Sequence, residues 1–124
     1  MEALYVALGG GAGALARYLM STGVQQRVNG VGFPVGTVVV NIVGCFLAGF
    51  VWTLLSYREV DHHIRLALMV GFLGGFTTFS SFALETVNML RQSNPFYAVL
   101  NVLIQNGAGI LSLWMGALVG GFTG

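Results

Sequence analysis

Lysine is absent from this chain, cysteine occurs once (Cys45), proline twice, and charged side chains fill only 7% of the 124 positions. A water-exposed domain carries about 25% charged residues, so the scarcity of charge excludes a soluble globular fold. A disulfide scaffold needs paired cysteines. Cys45 stands alone and reads as a small apolar filler of a helix. Disorder requires low hydrophobicity and high net charge, whereas 56% of these residues are hydrophobic and the net charge is +1. That charge also leaves no electrostatic footprint for nucleic acid.

What is present falls into windows. The charges are Glu2, Arg17, Arg27, Arg58, Glu59, Asp61, Arg65, Glu85 and Arg91, and they leave uncharged runs at 28–57, 66–84 and 92–124. A bilayer core of about 30 Å needs about 20 mostly apolar residues in a helix, and each run can hold one. A further apolar run, Ala3 to Gly23, is interrupted only by Arg17, close enough to the predicted helix end to snorkel to the headgroups. The reading is an all-α membrane protein of four transmembrane helices, at about 3–23, 34–56, 65–90 and 96–121, in one domain covering 1–124. The expected connections are the polar turn Gln25 to Gly30, ending in Asn29-Gly30, the charged stretch Tyr57 to His63, and the breaker Arg91 to Pro95. Ala14-Leu15-Ala16 imitates a signal-peptide cleavage site. A signal peptide, however, carries positive charge ahead of its apolar run, and here Glu2 precedes the run and Arg17 follows it, so a retained span is expected.

Arginine gives no orientation. Loops rich in Lys and Arg stay cytoplasmic, yet Arg58 and Arg65 on one side balance Arg27 and Arg91 on the other. A chain without bias is expected to insert both ways and to pair antiparallel with itself. Glycines four residues apart, Gly9 and Gly13, Gly32 and Gly36, Gly71 and Gly75, Gly116 and Gly120, suit close helix packing.

Polar groups inside spans are costly and face the bundle interior or a pathway. Here they are Asn41, the run Thr77, Thr78, Ser80 and Ser81 with Glu85 beyond it, and Asn101, Gln105 and Asn106. An intramembrane asparagine serves equally as glue between helices or as a ligand. Gly74-Gly75 followed by Thr77-Thr78 predicts a third helix broken mid-membrane, where unwound backbone must be buried in protein or line a cavity. Carbonyls freed there suit a small cation or another chain's backbone. Phe76, Phe79 and Phe82 recur every third residue, which predicts a stripe on one helix face, for packing or for turning electropositive ring edges toward an anion.

No catalytic constellation is found, so no enzyme is expected. Gly9 to Ala14 loosely matches a dinucleotide-binding glycine pattern but lacks the preceding strand and the following acid. His62-His63 stands in a charged loop without Cys or further His.

Gly10-Gly11-Ala12-Gly13-Ala14 with Arg17-Tyr18, then Gly36-Thr37 with Asn41 and Gly44, then Gly71 through Phe82 with Glu85, resemble the three signature segments of the CrcB/Fluc fluoride channels. The third, Gly-Gly-x-Thr-Thr-Phe-Ser-x-Phe, is the specific one. The resemblance implies an antiparallel, dual-topology homodimer in the lipid of a bacterial inner membrane, with two pores, each lined by both copies. These would pass fluoride passively and lower its cytoplasmic level. It implies that Asn41, Phe79 and Phe82 line the fluoride path, with Thr78 and Ser81 hydroxyls beside the ring pair, Arg17 in the vestibule and Glu85 near the path. Carbonyls of Gly74 and Thr77 would hold a sodium ion at the dimer centre. In the fourth span, where many relatives carry a tyrosine and then serines, this chain has Asn101, Gln105 and Gly109; Asn101 and Gln105 also donate hydrogen bonds and join the expected path.

The competing reading is a proton-coupled small multidrug exporter, also a four-span antiparallel dimer. It needs an acid mid-membrane in the first span, where only Gly, Ala and Leu stand. A structural membrane subunit would carry no flux at all.

Overall fold

The computed structural model describes residues 1–28 and 30–123, the side chains of Phe122 and Thr123 excepted. Asn29 of the expected Asn-Gly turn lies outside the described residues. All secondary structure among the described residues is helical. Four helical segments are long and apolar enough to cross a membrane: Glu2–Arg27, Val35–Ser56, His62–Arg91 and Pro95–Gly121. The chain is a multi-pass membrane protein, and large apolar side chains such as Leu8, Leu15, Trp52, Leu103 and Trp114 accordingly stand on its outside.

The first span runs to Arg27 rather than to 23, so Gln25 and Gln26 are helical instead of forming a turn. The reason lies in Gln25, whose Nε2 donates to the Phe33 carbonyl (3.1 Å) and whose Oε1 accepts the Gly36 N–H (2.9 Å). One side chain thus closes the connection and satisfies an N–H that the start of the second helix leaves unpaired. The longer helix also places Arg17 well inside its span. Arg17 does not snorkel: its Nε donates to the Gly75 carbonyl at 3.1 Å.

Entry to the third span is set by Asp61, whose carboxylate accepts the His63 N–H at 2.8 Å. That donation holds the Asp61 carboxyl below its ordinary value of 3.8. A carboxyl depressed on folding stabilises above its unfolded pKa and loses that contribution as pH falls through the folded one. Asp61→Ala should therefore lower the melting temperature at neutral pH. The gap from wild type should close below about pH 3.8; a gap unchanged in acid would show that the cap is not its source.

The helix stops at Phe76 and restarts at Phe79, with Thr77 (φ −84°, ψ 155°) and Thr78 (φ −145°, ψ 117°) extended between them. Thr78 caps the restarted segment, its Oγ1 accepting the Ser81 N–H at 3.1 Å. The interruption divides the expected phenylalanine stripe. Phe76 is buried and stacks on Phe72, with centroids 5.8 Å apart, whereas Phe79 pairs with Phe82 at 5.4 Å and a 57° tilt. Two extended residues remove the helical phase that a three-residue repeat needs.

Small residues decide which helices meet. The second span packs along Gly109–Thr123, and the first along the stretch from Leu66 to Phe76. A Cβ on Gly49 would strike the Leu113 carbonyl, and one on Gly116 the Phe46 carbonyl. Gly9 and Gly13 lie as tightly on the carbonyls of Ala67 and Phe72. The pair Gly32 and Gly36 splits: Gly36 packs on Ser21, while Gly32 sits in the connection at φ +74°, where packing plays no part.

Candidate functional site

Broken helices release backbone groups, and here two of the released groups are taken up by side chains of other spans. In a continuous helix the Thr78 N–H would close on the Gly74 carbonyl and the Phe79 N–H on that of Gly75. Instead the Thr78 N–H donates to Asn41 Oδ1 (2.9 Å), and the Gly75 carbonyl accepts from Arg17. The two glycines face opposite ways. Gly75 lies against Gly10 and Ala14 of the first span, while a Cβ on Gly74 would meet nothing within 4 Å.

Gly74 opens onto a groove of about 420 Å³, lined among others by Asn41, Thr77, Thr78, Phe79, Phe82, Gln105 and Asn106. Among the described residues no formal charge lines it. Phe79 is 77% exposed at its edge. Asn41, at the junction of the second, third and fourth spans, donates through Nδ2 to the Thr78 carbonyl (3.0 Å) and to Gln105 Oε1 (2.7 Å). Gln105 Nε2 donates to Asn101 Oδ1 (3.0 Å), Asn101 Nδ2 to Thr86 Oγ1 (2.9 Å), and the Thr86 hydroxyl to the Phe82 carbonyl (2.7 Å). Asn101 is fully buried; it stands behind the groove as a support for Gln105.

Three further expected residues, besides Asn101, lie off the groove. Arg17 is tied to Gly75 on the first-span side. Ser81 gives its N–H to the Thr78 cap and does not line the groove. Glu85 belongs to a second cleft, of about 470 Å³, with Ser21, Thr22, Gln25, Gln26, Gly36 and Thr37. Its Oε1 accepts from the Thr37 hydroxyl at 2.7 Å, and its Oε2 is buried with no hydrogen-bond partner among the described residues.

Residues 4–117 match the family model described as "CrcB-like protein, Camphor Resistance (CrcB)". The chain belongs to the CrcB family. Curated relatives include the "Fluoride-specific ion channel FluC" of Solibacter usitatus, 50% identical over 96% of this chain and 98% of the relative. Those of Desulforapulum autotrophicum, 47% identical over 94% of each chain, and Acidobacterium capsulatum, 41% identical over 97% and 96%, carry the same name.

Two hydrogen-bonding partners in this CrcB protein escape a reading of span polarity: Thr37, which binds Glu85 in the second cleft, and Thr86, the last hydroxyl of the amide chain. A threonine in a helix commonly bonds the carbonyl four residues back, as Thr86 does to Phe82, and so draws little notice. The signal to be read was spacing. Phe82 and Thr86 stand one turn apart, as do Asn101 and Gln105, which puts each pair on one face.

Proposed function

We infer that this CrcB protein is a fluoride-selective passive channel of a bacterial inner membrane. The observation that carries the reading is the uncharged groove walled by the Asn41 and Gln105 amides, the Thr78 hydroxyl and the Phe79–Phe82 ring pair. Fluoride is small and tightly hydrated, so a pore must replace water's donors without holding the ion too firmly to release it. Neutral amides and hydroxyls do that. Ring edges add positive potential without a full charge, whereas a fixed cation on the wall would retain the anion. The family's named fluoride channels support the choice of ion.

The working unit in this reading is an antiparallel homodimer with two pores. One copy leaves the groove open along its length and Phe79 bare, and the even arginine count suits insertion in both directions. A second copy laid head to tail would roof the groove and exclude lipid. Its centre would hold sodium on the Gly74 and Thr77 carbonyls. The fit is sound, since the interruption releases Gly74's carbonyl from its helical partner and leaves open space at that residue. Carbonyl oxygen suits a hard monovalent cation, which would supply a fixed central charge that ties the copies together.

Purified protein in liposomes loaded with fluoride or chloride tests the assignment. Fast fluoride efflux with chloride at the level of empty liposomes is expected. Comparable chloride efflux, or proton-driven efflux of an organic cation, would overturn it.

A further inference from the structure

Asn41 has two amide protons to give, and both are committed. One goes to the Thr78 carbonyl at 3.0 Å and the other to Gln105 Oε1 at 2.7 Å, while Oδ1 accepts the Thr78 N–H at 2.9 Å. An anion reaching Asn41 therefore meets no free donor until one of these acceptors leaves.

The amide orientations behind this statement follow from the ends of the chain of bonds. The Thr78 N–H can only donate, and the Phe82 carbonyl can only accept. Between them the polarity runs one way: Thr78 to Asn41, Asn41 to Gln105, Gln105 to Asn101, Asn101 to Thr86, Thr86 to Phe82. Turning Asn41 or Gln105 over would set oxygen against oxygen and nitrogen against nitrogen, and turning Asn101 over would set its nitrogen against Gln105 Nε2.

Of the two acceptors on Asn41, only one is free to move. The Thr78 carbonyl is main chain, locked by its residue's reciprocal bond to Asn41 and by its place at a helix start. Gln105 Oε1 ends a flexible side chain on the groove wall, half-buried. Gln105 also lies in a π-helical turn, Ile104–Ala108, a local widening of the helix that recurs at functional positions.

We propose that Gln105 is the specificity-determining residue of the path, its Oε1 occupying the seat on Asn41 Nδ2 that each permeating fluoride must take from it. The proposal rests on the fluoride-channel reading and adds a competitor to it. Fluoride accepts hydrogen bonds and never donates, so it replaces an amide oxygen one for one. Asn101 takes one of the two Gln105 Nε2 protons, and the second is unclaimed among the described residues, free to turn toward the arriving ion. A larger halide spreads its charge over a bigger surface and accepts a hydrogen bond more weakly than fluoride does, so it gains less by displacing the amide oxygen and competes less well for the seat.

The fluoride-concentration dependence of efflux from liposomes tests this with Gln105→Leu and Gln105→Glu. Leucine removes the competitor, so half-saturating fluoride falls about threefold to tenfold, the equilibrium worth of one ordinary hydrogen bond, and chloride leakage rises. Glutamate places a stronger acceptor in the seat, and half-saturation rises above wild type. Gln105→Met, unbranched like glutamine, answers the same question should the leucine variant fail to fold. A residue that only packs the wall would alter maximal flux or melting temperature and leave half-saturation unmoved. That result, or the reverse order of the variants, overturns the proposal. Wild-type protein that passes no fluoride would instead overturn the channel reading itself.

Discussion

Asn41→Leu is expected to lower fluoride efflux by one to two orders of magnitude. A hydrogen bond to a charged group is worth about 1.5–3 kcal/mol, roughly a ten- to hundredfold change in an equilibrium. Leucine removes the donors Asn41 can offer a permeating anion and keeps a similar volume in the groove. It also strips the Thr78 N–H of its acceptor, and an unsatisfied buried donor costs about 1–3 kcal/mol of stability. The two effects separate by experiment. Efflux is normalised to correctly inserted protein, and melting temperature is followed in detergent. Loss of stability with flux per molecule unchanged would make Asn41 a helix linker and remove it from the pathway. Leucine at Asn41 should also abolish the shift in half-saturation expected of Gln105→Leu, because no donor is left there to compete for.

How far the sequence carries this picture depends on the kind of interaction in question. Span positions follow from burial of apolar surface in lipid, which is a property of windows, and so the gaps between charges located four helices. The helix interruption is also local: two glycines and two threonines weaken the ladder at one place. Partner choice is not local. Arg17 could have reached headgroups or protein, and nothing in its neighbourhood reveals that a carbonyl freed at Gly75 lies across from it. Gln25 looks like loop polarity, yet it closes the first connection from inside a helix. The phenylalanine repeat misled because periodicity assumes unbroken phase, and Thr77 and Thr78 interrupt it.

Glu85 illustrates a further limit. A sequence can show that an acid lies in a span but not which cleft it serves. Here Thr37 and Gln25 of neighbouring helices share a cleft with it that is separate from the groove of Asn41 and Phe79. With that carboxyl held apart from the groove, the groove wall itself is built of neutral groups. This is the condition under which an anion can pass without repulsion, and it explains why the polar groups on that wall are amides and hydroxyls.

Gly49→Ala and Gly116→Ala test the close contact between the second and fourth spans, the two that carry Asn41 and Gln105. Each added methyl would meet a main-chain carbonyl, that of Leu113 or Phe46, and backbone cannot turn aside as a side chain can. Overpacking of this kind costs about 1–3 kcal/mol, and a fall in melting temperature of roughly 5 °C or more is expected for each. Gly11 lies on the exposed face of the first span, where an added Cβ would meet nothing within 4 Å, so Gly11→Ala should leave stability equal or slightly higher, as removal of a helical glycine does. Separation of the second and fourth spans must also stretch the 2.7 Å bond from Asn41 to Gln105, because those two residues sit on the same pair of helices. The glycine variants should therefore lower fluoride selectivity as well as stability, although neither glycine lines the groove. Melting temperatures unchanged from wild type would show that the two helices are free to separate and that glycine is not what holds them at this distance.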